Sequence, residues 1–117
     1  MSNRGASAEA LAAEFLQRQG LRILDRNYRC RFGEIDLVAE SGETLIFVEV
    51  KARKSEGFGG AAESVTAAKR RRIVAAARHY LAASGERSAR FDVVLVRGEP
   101  PKLEWIADAF GEDHARR

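Results

Sequence analysis

Residues 45–50 read Leu-Ile-Phe-Val-Glu-Val, an apolar run with one carboxylate set in it and Lys51 just beyond. An apolar run without alternation suits a strand covered on both faces, at the centre of a sheet. That requirement limits the fold more than any other feature of the chain, because each face of the strand must find an apolar cover. Two amphipathic segments can provide it. Ala8, Leu11, Ala12, Phe15 and Leu16 recur at helical spacing within 6–19, where Ser7 can cap the start and Gly20 ends the pattern. Ile73, Ala76, Ala77, Tyr80 and Leu81 do the same within a second helix expected over 65–83 and closed by Ser84-Gly85.

The remaining periodicity predicts strands over 21–29, 33–40, 44–53 and 91–96, and a short edge strand over 103–106. Ser41-Gly42 and Pro100-Pro101 mark turns, and the glycine-bearing stretch 54–63 reads as a loop. The resulting order is αβββαββ, an α/β arrangement in which a mixed β-sheet is flanked by helices. With 117 residues, 45% of them hydrophobic, one core suffices; a single domain is expected over 1–110 with a polar tail over 111–117. No stretch approaches the roughly 18 apolar residues of a membrane span. The start, Met1 to Ala6, lacks the basic-then-apolar pattern of a secretion signal, and Cys30 has no second cysteine to pair with. A cytoplasmic address without membrane contact is the expectation, and neither His79 nor His114 enters the candidate site.

The chemistry concentrates in Gly33-Glu34-Ile35-Asp36-Leu37-Val38-Ala39 and Phe47-Val48-Glu49-Val50-Lys51-Ala52-Arg53. Acids and lysines buried in apolar strands are costly unless compensated. If the hairpin turns at Ser41-Gly42 and Glu40 pairs with Glu43, Asp36 lies opposite Phe47 and Glu49 is its diagonal neighbour on one face, roughly 7–8 Å away. A divalent ion can bridge two such carboxylates, and hard oxygen ligands suit Mg2+ or Mn2+, with the Val50 carbonyl as a further ligand. Lys51 is then placed to orient a water or to stabilise a developing anion. Glu9 becomes a third acid if the first helix crosses the sheet there. The alternative is an internal salt bridge in which Lys51 neutralises Asp36 or Glu49.

These same residues, followed by a glycine loop and Lys69 before an alanine-rich helix, resemble the YraN-like family of small bacterial proteins, over roughly Gly5 to Ile106. That family in turn looks like a distant branch of the PD-(D/E)XK nuclease superfamily, close in layout to archaeal Holliday-junction resolvases. The resemblance implies a restriction-endonuclease-like fold and a Mg2+-dependent endonuclease acting on nucleic acid, DNA in the first place. Glu9 then matches the acid of the first helix, Asp36 that of the second strand, and Glu49 and Lys51 the Glu-x-Lys of the third. Glu34, Arg53 and Lys69 match motif positions to which no role is assigned. Resolvases of this kind often pair two copies, so a homodimer is a further expectation.

The net charge of +3 is modest, but its distribution is uneven. Arg53 and Lys54 beside the Glu-x-Lys, and Lys69, Arg70 and Arg72 on the second helix, are candidates for phosphate contacts. Of these, Lys69 and Arg72 are expected to flank the apolar stripe, and Arg70 and Arg71 to face solvent. An ordinary solvated helix face explains the same cations equally well. Arg26, Arg29 and Arg31 interleave with Tyr28 and Phe32, for which packing is favoured over base stacking. Trp105 and Phe110 are read as covers of a sheet edge or parts of a subunit contact. Two other readings stay open: a nucleic-acid-binding module with little chemistry, and a protein-interaction domain whose acids are merely paired.

Overall fold

The computed structural model describes residues 4–53 and 65–111. Helix α1 (Arg4–Arg18) leads into strands β1 (Arg22–Cys30), β2 (Gly33–Ser41) and β3 (Thr44–Arg53); helix α2 (Ala67–Ser84) precedes β4 (Ala89–Arg97) and β5 (Lys102–Phe110). The five strands form one sheet in the order β1-β2-β3-β4-β5. All neighbours are antiparallel except β3 and β4, which are parallel. The expected αβββαββ order and mixed sheet are therefore present. Among the described residues, no helix is long and apolar enough to cross a membrane.

The central run is covered as its composition demands. On one face, Ala8, Ala12, Ala13 and Leu16 of α1 pack on Leu37, Ala39, Ile46, Val48, Val94 and Val96. On the other, Ile73, Val74, Ala76 and Ala77 of α2 pack on Ile35, Val38, Leu45, Phe47, Val93 and Leu95. Helix α1 ends in a Schellman arrangement, with the Leu21 amide donating to Leu16 O at 3.1 Å and the Gly20 amide to Gln17 O at 3.0 Å. Gly20 adopts the left-handed conformation, φ 99°, that this motif requires and that a Cβ resists. Ser7 lies inside α1 and does not cap it, because the alanine-rich start extends the helix to Arg4. The cap of α2 is Thr66, whose hydroxyl accepts from the Lys69 amide at 3.1 Å.

Two strands depart from simple alternation. In β1 the register against β2 shifts between Ile23 and Asp25, and Asn27 carries φ 54°. Ile23 consequently packs with the α1 cluster and Tyr28 and Cys30 with the α2 cluster. Strand β5 runs to Phe110 rather than stopping at Ile106, through an irregularity where Asp108 has φ 54° and the register against Phe91–Val93 shifts. Phe110 is a core residue stacked on Phe91, not an edge cover.

The interaction that stabilises this irregularity involves Asp92, an acid that alternation alone did not single out. It is fully buried, and its carboxylate accepts from Arg90 Nε at 3.0 Å, Trp105 Nε1 at 2.8 Å and the Asp108 amide at 2.9 Å. Trp105 also meets Phe15 edge-on, so the pair ties β5 to α1. Removing the acceptor costs its three hydrogen bonds, of which the partly buried Trp105 N–H is the least able to turn to water. Asp92→Ala is expected to lower the unfolding free energy by about 1–3 kcal/mol in urea titrations, with Trp105 fluorescence reporting the lost contact.

Candidate functional site

The β2–β3 hairpin has a two-residue turn at Gly42-Glu43, with Ser41 paired to Thr44 and Leu37 to Val48. The turn expected at Ser41-Gly42 is displaced by one residue, because Gly42, at φ 59°, takes the first turn position and Ser41 remains in the strand. The loop stays even, so the side chains keep their relative faces. Phe47 pairs with Val38 instead of Asp36, and the backbone pairing of β2 with β3 ends at Leu37 and Val48, one residue short of both acids.

At that step the two strands no longer pair through backbone alone. The Val50 amide donates to Asp36 Oδ2 at 2.8 Å, so a side chain takes the place of a strand carbonyl. Reaching a strand amide holds the Asp36 carboxylate along the β3 edge. A strand residue directs its N–H and C=O along the same edge, so the Val50 carbonyl lies on this side as well. Leu37 packs under α1 and Ile35 under α2, a change of face across Asp36 that accompanies the left-handed Asn27 on β1.

Glu49 is 4% exposed, and its Oε2 lies 3.1 Å from Lys69 Nζ. Lys69 is the N3 residue of α2, set there by the Thr66 cap. The cation facing the buried acid is therefore Lys69, a residue expected among the phosphate contacts. Lys51, on the same face two residues along β3, acts on Glu49 more weakly. The salt-bridge alternative is thus partly realised, with the other lysine. Even so, burial and the Asp36 charge outweigh both lysines and push the Glu49 carboxyl up to about 7. Glu9 of α1, half-buried, is within hydrogen-bonding reach of Asp36 and Asn27; burial first, and Asp36 second, raise its pKa also. Four of the expected residues (Glu9, Asp36, Glu49 and Lys51) are therefore brought together with Val50, and Lys69 joins them.

The other expected cations distribute differently. Arg70 is partly buried: its Nε donates to Val65 O at 2.9 Å and its guanidinium lies 5.7 Å from the Phe110 ring centroid. It therefore braces the start of α2 on the core instead of facing solvent. Arg72 is exposed. Arg53 closes β3 beside Arg97, and Lys54 with the glycine-bearing stretch 54–63 lies outside the described residues, as does His114. Asn27 and Thr66 were not singled out from the sequence. An asparagine inside a strand and a threonine three residues before Lys69 were the available signals.

A family model described as "Uncharacterised protein family UPF0102" matches residues 8–96, which span both helices' core faces and every acid above. The chain belongs to this family. A UPF0102 protein of Nitrosomonas europaea is 55% identical over 94% of this chain and 95% of its own length. Those of Methylobacillus flagellatus and Cupriavidus taiwanensis are 50% and 55% identical, over 94% and 96% of this chain and 98% and 86% of their own lengths. Family membership thus extends across the whole acid-bearing hairpin.

Glu49 makes a definite contribution to pH dependence. Its pKa in the folded protein, about 7, exceeds the ordinary 4.5. The folded state therefore binds the extra proton between those values, and stability falls as pH rises through them. The shift corresponds to something on the order of 3 kcal/mol. Glu49→Gln removes this component. Urea titrations of the metal-free protein between about pH 5 and pH 8 should show the wild type losing stability relative to the variant, the curves separating by roughly 2–3 kcal/mol at the upper end.

Proposed function

We propose that this protein is a metal-dependent phosphodiesterase of the PD-(D/E)XK, restriction-endonuclease-like kind, cutting nucleic acid, with DNA processing or repair as its setting. The observation that carries this reading is a buried Glu49 beside the Asp36 carboxylate that the Val50 amide holds, with burial and the Asp36 charge outweighing the neighbouring lysines. Such an arrangement is expensive in a protein that has no cation to receive.

The residues suit magnesium or manganese. Among the described residues, no three of Asp, Glu, His or Cys group closely enough to hold an ion on their own. Magnesium does not require that many, since it takes one or two carboxylates and fills its octahedron with waters and substrate phosphate oxygens. Asp36, Glu49 and the Val50 carbonyl supply hard oxygens along one strand edge. When bound, the ion would offset charge on the phosphoryl oxygens and make a water more acidic.

The chain's own groups then have distinct tasks. The Val50 amide holds Asp36 in a single orientation. Lys69 pairs with Glu49 and offsets part of its charge. Lys51, two residues beyond Glu49, orients the attacking water or stabilises charge as it develops. Glu9, within hydrogen-bonding reach of Asp36 and Asn27, is a third acid that would hold a metal-bound water or a second ion. A binding module without chemistry is the second reading, and the Lys69–Glu49 ion pair favours it, because the acid already has a partner.

Supercoiled, nicked, single-stranded and four-way-junction DNA separate the two when incubated with Mg2+, Mn2+ or EDTA. Cleavage is expected with a divalent ion only, and Glu49→Gln or Lys51→Ala should reduce it by about 100-fold or more. Cleavage insensitive to both substitutions would overturn the proposal. Binding without cleavage would favour the module. A second prediction concerns the ion alone. Saturating Mn2+ should raise the thermal midpoint of the wild type, by up to about 2.7 kcal/mol of stabilisation at a hundredfold excess over its dissociation constant, and leave that of Glu49→Gln unchanged.

A further inference from the structure

The β1–β2 turn carries Arg31 and Phe32, and Phe32 is one of two large hydrophobic side chains left exposed among the described residues, at 41%. Its ring is not loose. The Arg31 guanidinium lies 5.0 Å from the centroid, and the His79 ring of α2 lies 5.7 Å away at a tilt. His79 is itself fixed by a 2.6 Å hydrogen bond between its Nδ1 and the Tyr28 hydroxyl. Gly33, next in sequence, sits so close to α2 that a Cβ there would stand 3.0 Å from Arg72 O. The turn is therefore seated against the helix, and the aromatic face is preorganised.

Beneath this turn lies a cleft of about 350 Å³ lined by Arg29, Phe32, Arg72 and Lys69. Lys69 is also the residue that pairs with Glu49, so the cleft and the acid centre share one side chain. Arg29 pairs at 3.2 Å with Glu34, both of them exposed, an ion pair that a phosphate can displace at little cost. Among the described residues, Arg31 and Arg72 have no carboxylate partner. A cationic track beside an exposed aromatic platform matches how proteins hold single strands: cations follow the phosphates and bases stack on the ring. A paired duplex covers both faces of its bases with stacked neighbours, leaving no face for Phe32.

We propose that the cleft between the β1–β2 turn and α2 binds an unpaired nucleotide of a single-stranded segment, its base on Phe32 and its phosphates on Arg31, Arg72 and Arg29. The substrate of the acid centre is then single-stranded or splayed nucleic acid, which rests on the phosphodiesterase reading, whereas the binding itself does not. The low-lying Lys69 couples the two, because the phosphate that draws it from Glu49 leaves the acid open to a cation.

The test is fluorescence anisotropy in EDTA, with labelled oligo-dT, oligo-U and a blunt duplex of equal length, on the wild type, Phe32→Ala and Phe32→Trp. Thermal melting of each variant checks that it is folded. Tighter binding of either single strand than of the duplex is expected, with a loss of about 10-fold or more in Phe32→Ala, recovery in Phe32→Trp and no change for the duplex. Adding oligo-dU, which differs from oligo-U only in the 2′-hydroxyl, identifies the sugar. Equal affinity for single strand and duplex, or a folded Phe32→Ala that binds single strands as the wild type does, would overturn the proposal. Because no metal is present, a failure of cleavage leaves this result standing. Conversely, Mg2+-dependent cleavage equally fast on single strand and duplex would preserve the phosphodiesterase and overturn the single-stranded substrate assigned to it.

Discussion

The 2.8 Å hydrogen bond from the Val50 amide to the Asp36 carboxylate decides how the middle of this sheet is built. Strands β2 and β3 pair through backbone as far as Leu37 and Val48. At the next step the aspartate side chain replaces a strand acceptor, and β2 is free to turn its apolar residues from the α1 side to the α2 side. A buried amide must find an acceptor, and by supplying one from a side chain the fold places a carboxylate against the strand that carries Glu49. The site is a consequence of how the sheet stays satisfied where its strands part.

Around that point the electrostatics are unbalanced by construction. The Asp36 charge acts on both Glu9 and Glu49, acids from three elements, and Lys69 pairs with Glu49. The contrast with Asp92 on the neighbouring strand is instructive. It is equally buried, but a guanidinium, an indole N–H and a backbone N–H surround it, and it serves to hold β5 in place. Two buried acids in one small sheet thus take opposite roles, separated by whether their partners saturate them. The proposed cation site rests on the acid whose partners leave it undercompensated.

The two helices divide the work in a way their sequences anticipate only in part. Helix α1 brings an alanine-lined face that lets it lie close to the sheet, which is what carries Glu9 to Asp36. Helix α2 is positioned at its start by Thr66 and by Arg70, which spans from Val65 O to the Phe110 ring. Lys69, between them, is thereby aimed inward while Arg72 and the exposed Phe32 frame the cleft outside. Residues consecutive in sequence fall to structural and chemical tasks by helical angle alone.

Local pattern was enough to define the elements, because hydrophobic periodicity and glycine turns are properties of neighbouring residues: the order αβββαββ, the central strand 44–53, the core face of α2 and the acids Asp36 and Glu49 were all legible. It also established that an even hairpin loop keeps those acids together. Tertiary packing decided what neighbours in sequence cannot encode. The one-residue displacement of the turn set Phe47 opposite Val38 rather than Asp36; Lys69 rather than Lys51 came to face Glu49; and the left-handed Asn27 and Asp108 let β1 change face and β5 reach Phe110. Each of these depends on where a distant helix or strand supplies a donor, a charge or an apolar surface, and such long-range pairings are set only when the chain has closed on itself.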